Sequence, residues 1–183
     1  MKKVLAIVVG ALALGGGAFG MSWIAGSALP EDQESTMTVS SRQGPSAVWR
    51  VVSDFEQHAT WREDLVAVER VDDIAGNPAW REFGVGGDAT TFVTAAWSPP
   101  HSLRRDIVED GYLMGSVQID LLPEGMGTRV TLVERRRTPS PVARLVKQRF
   151  GGNESTGHAL LRALADHLGD PQNQVAEVEG TAE

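Results

Sequence analysis

The four histidines are the side chains best suited to acid–base chemistry near neutral pH, and their spacing gives no shared site. His158 and His167 fall on opposite sides of one predicted helix, because each residue advances the helix by about 100°. We expect His58, in a short helical region, and His101, after two prolines, to be solvated. The chain has no cysteine and no zinc-protease, nucleophile-elbow or phosphate-loop motif. The sequence therefore predicts no metal site and no cofactor.

Two charged residues, Glu134 and Arg105, fall on apolar faces of predicted strands. Glu134 continues the alternation of Val130 and Leu132, and Arg105 shares the phase of the apolar residues two positions away on each side. An isolated buried charge is costly, so we expect the two to pair or to bind a polar ligand group. Alternatively, Glu134 begins the solvated charge run 134–137, which could also contact anionic lipid headgroups.

Residues 1–29 form an apolar segment that is uncharged from Val4 to Leu29. At a rise of about 1.5 Å per residue, a helix of this length exceeds a hydrocarbon core of roughly 30 Å. Lysines precede the segment and acids follow it, which places the N-terminus in the cytoplasm and the rest outside. The segment is predicted to be a transmembrane anchor or, if cleaved at the small residues 25–27, a secretion signal.

The remainder is predicted to be one α+β domain, residues 37–170, between a polar tether at 30–36 and a disordered acidic tail at 171–183. A strand at 37–40 and two short helices precede a region rich in β-branched residues and turn signals. Together these predict an antiparallel seven-stranded sheet whose other strands lie near residues 65–72, 79–84, 89–97, 102–108, 113–122 and 127–137.

A long C-terminal helix is predicted to cover the apolar face of this sheet. Its stripe runs at helical spacing through the glycine pair 151–152, which could kink it: Val146, Phe150, Asn153, Gly157, Leu161, Leu164 and Leu168. Asn153 and Gly157 withdraw bulk from the middle of the stripe, which predicts a ligand cavity there. We expect four aromatic residues around it: Trp61, Trp80, Phe92 and Phe150. Alternatively, the glycines end one helix and a second begins at Asn153.

Several short motifs carry a family resemblance: residues 45–49 (PSAVW), 52–55 (VSDF), 80–82 (WRE), 98–100 (SPP) and 127–132 (GTRVTL). With their order of helices and strands, residues 36–170 resemble the SRPBCC superfamily, which includes START lipid-transfer domains and polyketide cyclases. The resemblance implies a helix-grip fold, in which the sheet wraps around a long C-terminal helix. The leading apolar segment is similar to that of a bacterial membrane-associated subset.

Three functions are compatible with this pattern. The first is binding or carrying of a hydrophobic small molecule or lipid between sheet and helix, at the outer face of the membrane. The second is a cyclase or dehydratase-like enzyme that uses Glu134 and Arg105, and the third is a cell-envelope interaction module without a ligand. Nucleic acid is not an expected partner, because the net charge is −7 and the acids are scattered.

Overall fold

An antiparallel sheet and a set of short helices make up the computed structural model, which describes residues 23–150, 156–170 and 176–178. The helices are α1 (Pro45–Ser53), a 3₁₀ helix (Phe55–Gln57), α2 (His58–Trp61), α3 (Pro141–Phe150) and α4 (Thr156–His167). The chain divides into two compact units, one of Met1–Gln33 with Arg137–Asn153, the other of Glu34–Arg136 with Glu154–Glu183. Each unit is described by itself.

The described strands form one sheet in the order β2-β3-β4-β5-β6-β7-β1-β8. The seven predicted strands are present: β1 (Asp32–Ser41), β2 (Leu65–Ile74), β3 (Asn77–Gly84), β4 (Ala89–Ser98), β5 (Ser102–Glu109), β6 (Tyr112–Glu124) and β7 (Gly127–Arg137). Consecutive strands from β2 to β7 pair antiparallel, as short connections favour.

The two ends of the sheet region differ from the prediction. β1 begins at Asp32, so most of the expected tether belongs to the strand. Glu34 pairs there with Arg135 at 2.8 Å. An eighth strand, β8 (Ala176–Val178), pairs antiparallel with β1 inside the segment that was expected to be a disordered tail. The polar sequence did not indicate the early start of β1 or the presence of β8, because strands can pair through backbone hydrogen bonds without apolar side chains.

The core of the larger unit follows the predicted alternation. Val117, Ile119 and Leu121 of β6 are buried, as are Val130 and Leu132 of β7. Their neighbours in sequence point to the opposite face of the sheet, because successive side chains of a strand alternate.

Helix α1 begins at Pro45, directly after its N-cap Gly44, and buries Val48 and Val52. Proline is favourable at this first position because its missing N–H would have had no intrahelical partner. The buried face continues past the end of α1 through Phe55, His58 and Arg62. These residues keep the helical spacing of three and four, so the two short helices and the 3₁₀ turn present one continuous face to the core.

The prediction of one long C-terminal helix is wrong for the described residues, which form α3 and the twelve-residue helix α4. Residues 151–155 lie outside the described part of the chain. Leu161 and Leu164 are fully buried, whereas Val146 of α3 is 51% exposed, so the apolar stripe does not continue through both helices. A regular spacing of apolar residues shows which side chains share a face but not whether anything covers that face.

The smaller unit is held by Arg144 of α3, whose guanidinium donates to the carbonyl oxygens of Leu29, Thr138 and Pro139, each at 2.8 Å. Glu31 accepts from Arg137 at 2.6 Å in the same unit. None of the described helices combines the length and the apolar character needed to cross a membrane. The predicted anchor falls mainly on residues 1–22, which lie outside the described residues.

Candidate functional site

A charged cluster lies inside the larger unit, on the inner face of the sheet. The Glu82 carboxylate accepts from Nη1 of Arg105 at 2.6 Å through Oε1 and from Nη1 of Arg62 at 2.9 Å through Oε2. All three side chains are buried. One carboxylate therefore bridges two guanidinium groups away from bulk water.

The two arginines differ in how the rest of each guanidinium is used. Nε and Nη2 of Arg62 bind the two oxygens of Asp64 at 3.2 and 2.6 Å. The same two atoms of Arg105 are buried and have no hydrogen-bond partner among the residues that the structure describes. Arg105 therefore has one edge of its guanidinium without a protein acceptor.

Two aromatic rings contact the Arg105 guanidinium. Its Cζ lies 4.3 Å from the ring centroid of Phe55 and 4.2 Å from that of Phe92. Cation–π contacts at this distance stabilise a desolvated cation and fix the plane of the group. The donors that Arg105 leaves unused are Nε and Nη2, so a further acceptor would bind along the edge that these two atoms form.

The pKa values follow from this unequal pairing. Burial by itself would raise the pKa of Glu82, but the positive charges of Arg105 and Arg62 outweigh it and hold the pKa at about 2. For Arg105, burial outweighs Glu82 and lowers the pKa. For Arg62, burial also opposes the charge, but hydrogen bonding and charge from Asp64 and Glu82 prevail and raise the pKa. Arg105 is the less compensated cation of the two.

His58 completes the interior polar group. It is 1% exposed, and its Nε2 lies 3.2 Å from the carbonyl oxygen of Val52, so Nε2 carries the proton and donates. Burial first, and then the charge of Arg105, lower its pKa to about 3. The ring is neutral at physiological pH, and Nδ1 is a buried acceptor without a donor in the described part of the chain.

The space around this group is divided in two. An inner cavity of about 10 Å³, enough for roughly one water molecule, is lined by His58, Arg62, Glu82 and Arg105 with their apolar neighbours. An open cleft of about 420 Å³ lies where α1 ends against β3 and β4, lined by Ser53, Phe55, Asn77, Pro78, Trp80, Thr94, Ala95, Ala96 and Trp97. Phe55 lines both spaces.

Comparison with known proteins places this architecture in a family. The family model of polyketide cyclase/dehydrase and lipid transport proteins matches residues 32–169. The chain belongs to this family. No curated protein matches its sequence.

Solved structures agree with this membership of the polyketide cyclase/dehydrase and lipid transport family. A START superfamily protein from Mycobacterium smegmatis is similar with a TM-score of 0.53 and 18% identity, covering 74% of this chain and 97% of that one. TTHA0849 from Thermus thermophilus is similar with a TM-score of 0.60 and 20% identity, with the same two coverages of 74% and 97%. MLL2253 from Mesorhizobium loti has a TM-score of 0.57 and 15% identity, covering 75% of this chain and 97% of that one. Identities this low show the fold alone; together with the family model, this fold confirms the SRPBCC and START-like resemblance.

Four of the predicted site residues line the inner cavity or the open cleft. Phe92, Arg105 and Gly157 line the inner cavity, and Trp80 lines the open cleft. Trp61 is half-buried and contacts the ring of His58 edge to face, at a centroid distance of 5.0 Å, and the ring of His167 at a tilt, at 5.6 Å. The side chain of Phe150, and Asn153 as a whole, lie outside the described residues.

The predicted ion pair between Glu134 and Arg105 is wrong. Both residues face the core, but Val117 of β6 stands between them in register, so their backbones are two strand spacings, roughly 10 Å, apart. Glu134 instead accepts from Arg136 at 2.8 Å and from the backbone N–H of Gly157 at 3.0 Å. It is buried, so the alternative of a solvated Glu134 is also wrong. Its carboxylate satisfies a free N–H in the first turn of α4.

Gly157 serves close packing rather than open space. A Cβ added at this position would lie 2.6 Å from Cδ2 of Leu132 and 2.7 Å from Cε of Met37. The missing side chain therefore lets α4 lie directly on β7 and β1, and the space that the described residues leave beside Gly157 is the inner cavity of about 10 Å³ rather than the predicted ligand cavity. Small residues on one face of a helix leave space that side chains of the sheet can fill as well as a ligand can.

Sequence reasoning missed Arg62 and Glu82 and placed His58 at the surface. Two patterns in the sequence could have located them. Glu82 is two residues from Trp80 and therefore on the same face of β3. His58 and Arg62 continue the helical spacing of the apolar positions 48, 52 and 55. Among the described residues, no three side chains of the types that bind metals come close enough together to hold an ion.

Proposed function

We propose that this protein binds or carries a hydrophobic small molecule or lipid, with the open cleft between α1, β3 and β4 as its binding site. The observation that carries the proposal is the cleft of about 420 Å³, which is within the range of small-molecule pockets, roughly 300–1,000 Å³. The description of the family, which includes lipid transport, supports the same class of ligand.

The walls of the cleft suit an apolar ligand. Phe55 contacts Trp80 and Trp97 edge to face, at centroid distances of 5.6 and 6.1 Å, and Trp97 also packs against Trp49 at 5.0 Å. Trp97 is nevertheless 48% exposed. When a ligand covers such rigid, water-exposed aromatic surface, binding is favoured by roughly 25 cal/mol per Å² of apolar area removed from water.

The N-terminal segment extends this proposal to the membrane. We propose that residues 1–29 anchor the protein, or direct its export, so that the cleft works at the outer face. The uncharged run from Val4 to Leu29 and the lysines before it support this placement.

The test is a search for ligand on the purified full-length chain, by native mass spectrometry with organic extraction, followed by titration with the neutral fluorescent probe N-phenyl-1-naphthylamine. We expect a co-purifying apolar mass and saturable probe binding. Trp97→Ala should weaken probe binding about tenfold, whereas Tyr112→Ala, at an exposed aromatic residue outside the cleft, should not. A chain that carries no apolar molecule and binds no probe would refute the proposal.

A further inference from the structure

The free edge of Arg105 points to the chemical class of the ligand. We propose that the ligand is an apolar carboxylic acid, whose carboxylate binds side-on to Nε and Nη2 of Arg105 while its hydrocarbon part occupies the open cleft. This inference rests on the function proposed above and adds the chemical identity of the ligand's polar group.

The protein itself contains the arrangement that we propose for the ligand. Arg62 and Arg105 stand on either side of Glu82, and each donates Nη1 to one of its oxygens. At Arg62, the edge formed by Nε and Nη2 holds the carboxylate of Asp64 through two hydrogen bonds. At Arg105, the equivalent edge is buried and has no acceptor in the described part of the protein. A ligand carboxylate there would repeat the Arg62–Asp64 pair, in the fork geometry that guanidinium and carboxylate groups prefer.

The distribution of charge in the cluster favours an anion at Arg105 over a neutral oxygen. Asp64, with 35% of its side chain exposed, balances Arg62, so the two arginines and the two carboxylates are neutral together. His58 is neutral and adds no charge. Among the described residues, Arg105 has one anionic partner, Glu82, and shares it with Arg62, so a ligand carboxylate would give Arg105 the second partner that Arg62 already has.

The geometry also limits how the ligand can enter. Phe55 and Phe92 both contact the guanidinium through their rings, and Nε and Nη2 are the donors left for a ligand. The inner cavity, at about 10 Å³, has room for roughly one water molecule, so a carboxylate can enter only if the neighbouring side chains shift, and the hydrocarbon part must remain in the cleft of about 420 Å³. Phe55 lines both spaces, so a ligand that reaches from the cleft to Arg105 must pass its ring.

The experiment compares cis-parinaric acid with its methyl ester, two fluorescent probes that share one hydrocarbon chain and differ in charge. Both are titrated at pH 7 into the full-length wild-type chain, Arg105→Met, Arg105→Lys and the matched control Arg129→Met, which removes an exposed arginine. The ratio of acid to ester affinity is the quantity compared between variants, because nonspecific partitioning of each probe then cancels.

We expect the wild type and Arg129→Met to prefer the acid by at least about tenfold, and Arg105→Met to lose that preference while still binding the ester. Arg105→Lys keeps the charge but not the planar fork, so we expect a reduced preference. The comparison of acid with ester in the wild type needs no variant and stands even if Arg105→Met does not fold.

Equal binding of acid and ester by the wild type would overturn the carboxylate inference and leave the proposed apolar site standing. An acid preference that survives in both Arg105 variants would also overturn it, because another cation would then be responsible. If neither probe binds the wild type, both the inference and the proposed function fail.

Discussion

Glu82 is the residue on which the stability of the interior should depend most. Its carboxylate is the shared partner of two buried cations, and Glu82→Gln would remove the negative charge while keeping nearly the same shape. We expect the free energy of unfolding at pH 7 to fall by about 3–5 kcal/mol, the range seen when one partner of a buried ion pair is removed. A loss of that size is a large share of the roughly 5–15 kcal/mol that stabilises ordinary domains.

The lowered pKa of Glu82, which the same two arginines cause, implies a contribution of similar size. It is lowered from its usual 4.5 to about 2 by the two arginines, and each pKa unit corresponds to about 1.4 kcal/mol, so the ionised form contributes about 3 kcal/mol. Because the pKa is lower in the folded state, this stability is present above pH 4.5 and is lost as the pH falls toward 2. Glu82→Gln should therefore remove that part of the pH dependence.

The assay is guanidinium chloride unfolding of the full-length chain, followed by tryptophan fluorescence between about pH 7 and pH 2.5, a range that covers most of the interval from 4.5 to about 2 over which the contribution of Glu82 is lost. Glu124→Gln is the matched control, because Glu124 pairs with Arg129 at the surface and exposed ion pairs contribute little. Adding Arg105→Met to Glu82→Gln should recover part of the lost stability, since it removes one uncompensated cation. A Glu82→Gln variant within about 1 kcal/mol of the wild type at pH 7 would refute this account of the cluster.

Two further predictions concern neighbouring residues of the core. His58 has its pKa lowered from 6.5 to about 3 by burial and by Arg105, so stability should decline as the pH falls from 6.5 toward 3, and His58→Gln should flatten that decline in the same unfolding assay. A slope of stability against pH that is equal in wild type and variant would contradict the assignment. Gly157→Val should lower the free energy of unfolding by about 1–3 kcal/mol, because the added atoms meet Leu132 and Met37, whereas Ala159→Val at a half-buried position of α4 should cost less. Equal unfolding midpoints for these two valine variants would show that α4 can move away from the sheet.

The interior charges explain why the space beneath α4 is small. Phe55 and Phe92 enclose the Arg105 guanidinium, and Glu82 draws Arg62 and Arg105 together. Groups held in this way occupy the volume that a large apolar cavity would need. The larger opening lies instead where α1 ends against β3 and β4, and its walls include Trp80 and Trp97.

The strands and the inner faces of the sheet were predictable because their signals are local. Alternation in β6 and β7 follows from the geometry of a single strand, and turn residues such as those at 86–88 and 98–100 mark the ends of strands without reference to distant contacts. The family resemblance depended on the same local patterns. These signals also placed Arg105 on the core side and gave the same position for Glu134 as one of two alternatives, and both residues are buried.

The pairing of the interior charges was not predictable in this way. Parity shows that Arg105 and Glu134 face the core, but it does not show that two strand spacings separate them, or that Glu82 from β3 reaches Arg105 first. Strand order and register are properties of the whole sheet, and a shift of one strand would exchange every partner.

The sequence by itself determined the order of elements, the apolar faces of the strands and the apolar N-terminal segment, because each is written in the spacing of neighbouring residues. Only the tertiary structure decided that His58 is buried, that Glu134 binds the first turn of α4 and that Arg105 keeps a free edge. These depend on distances between residues far apart in the chain, and the cost of burying a charge then selects which of the nearby groups must pair.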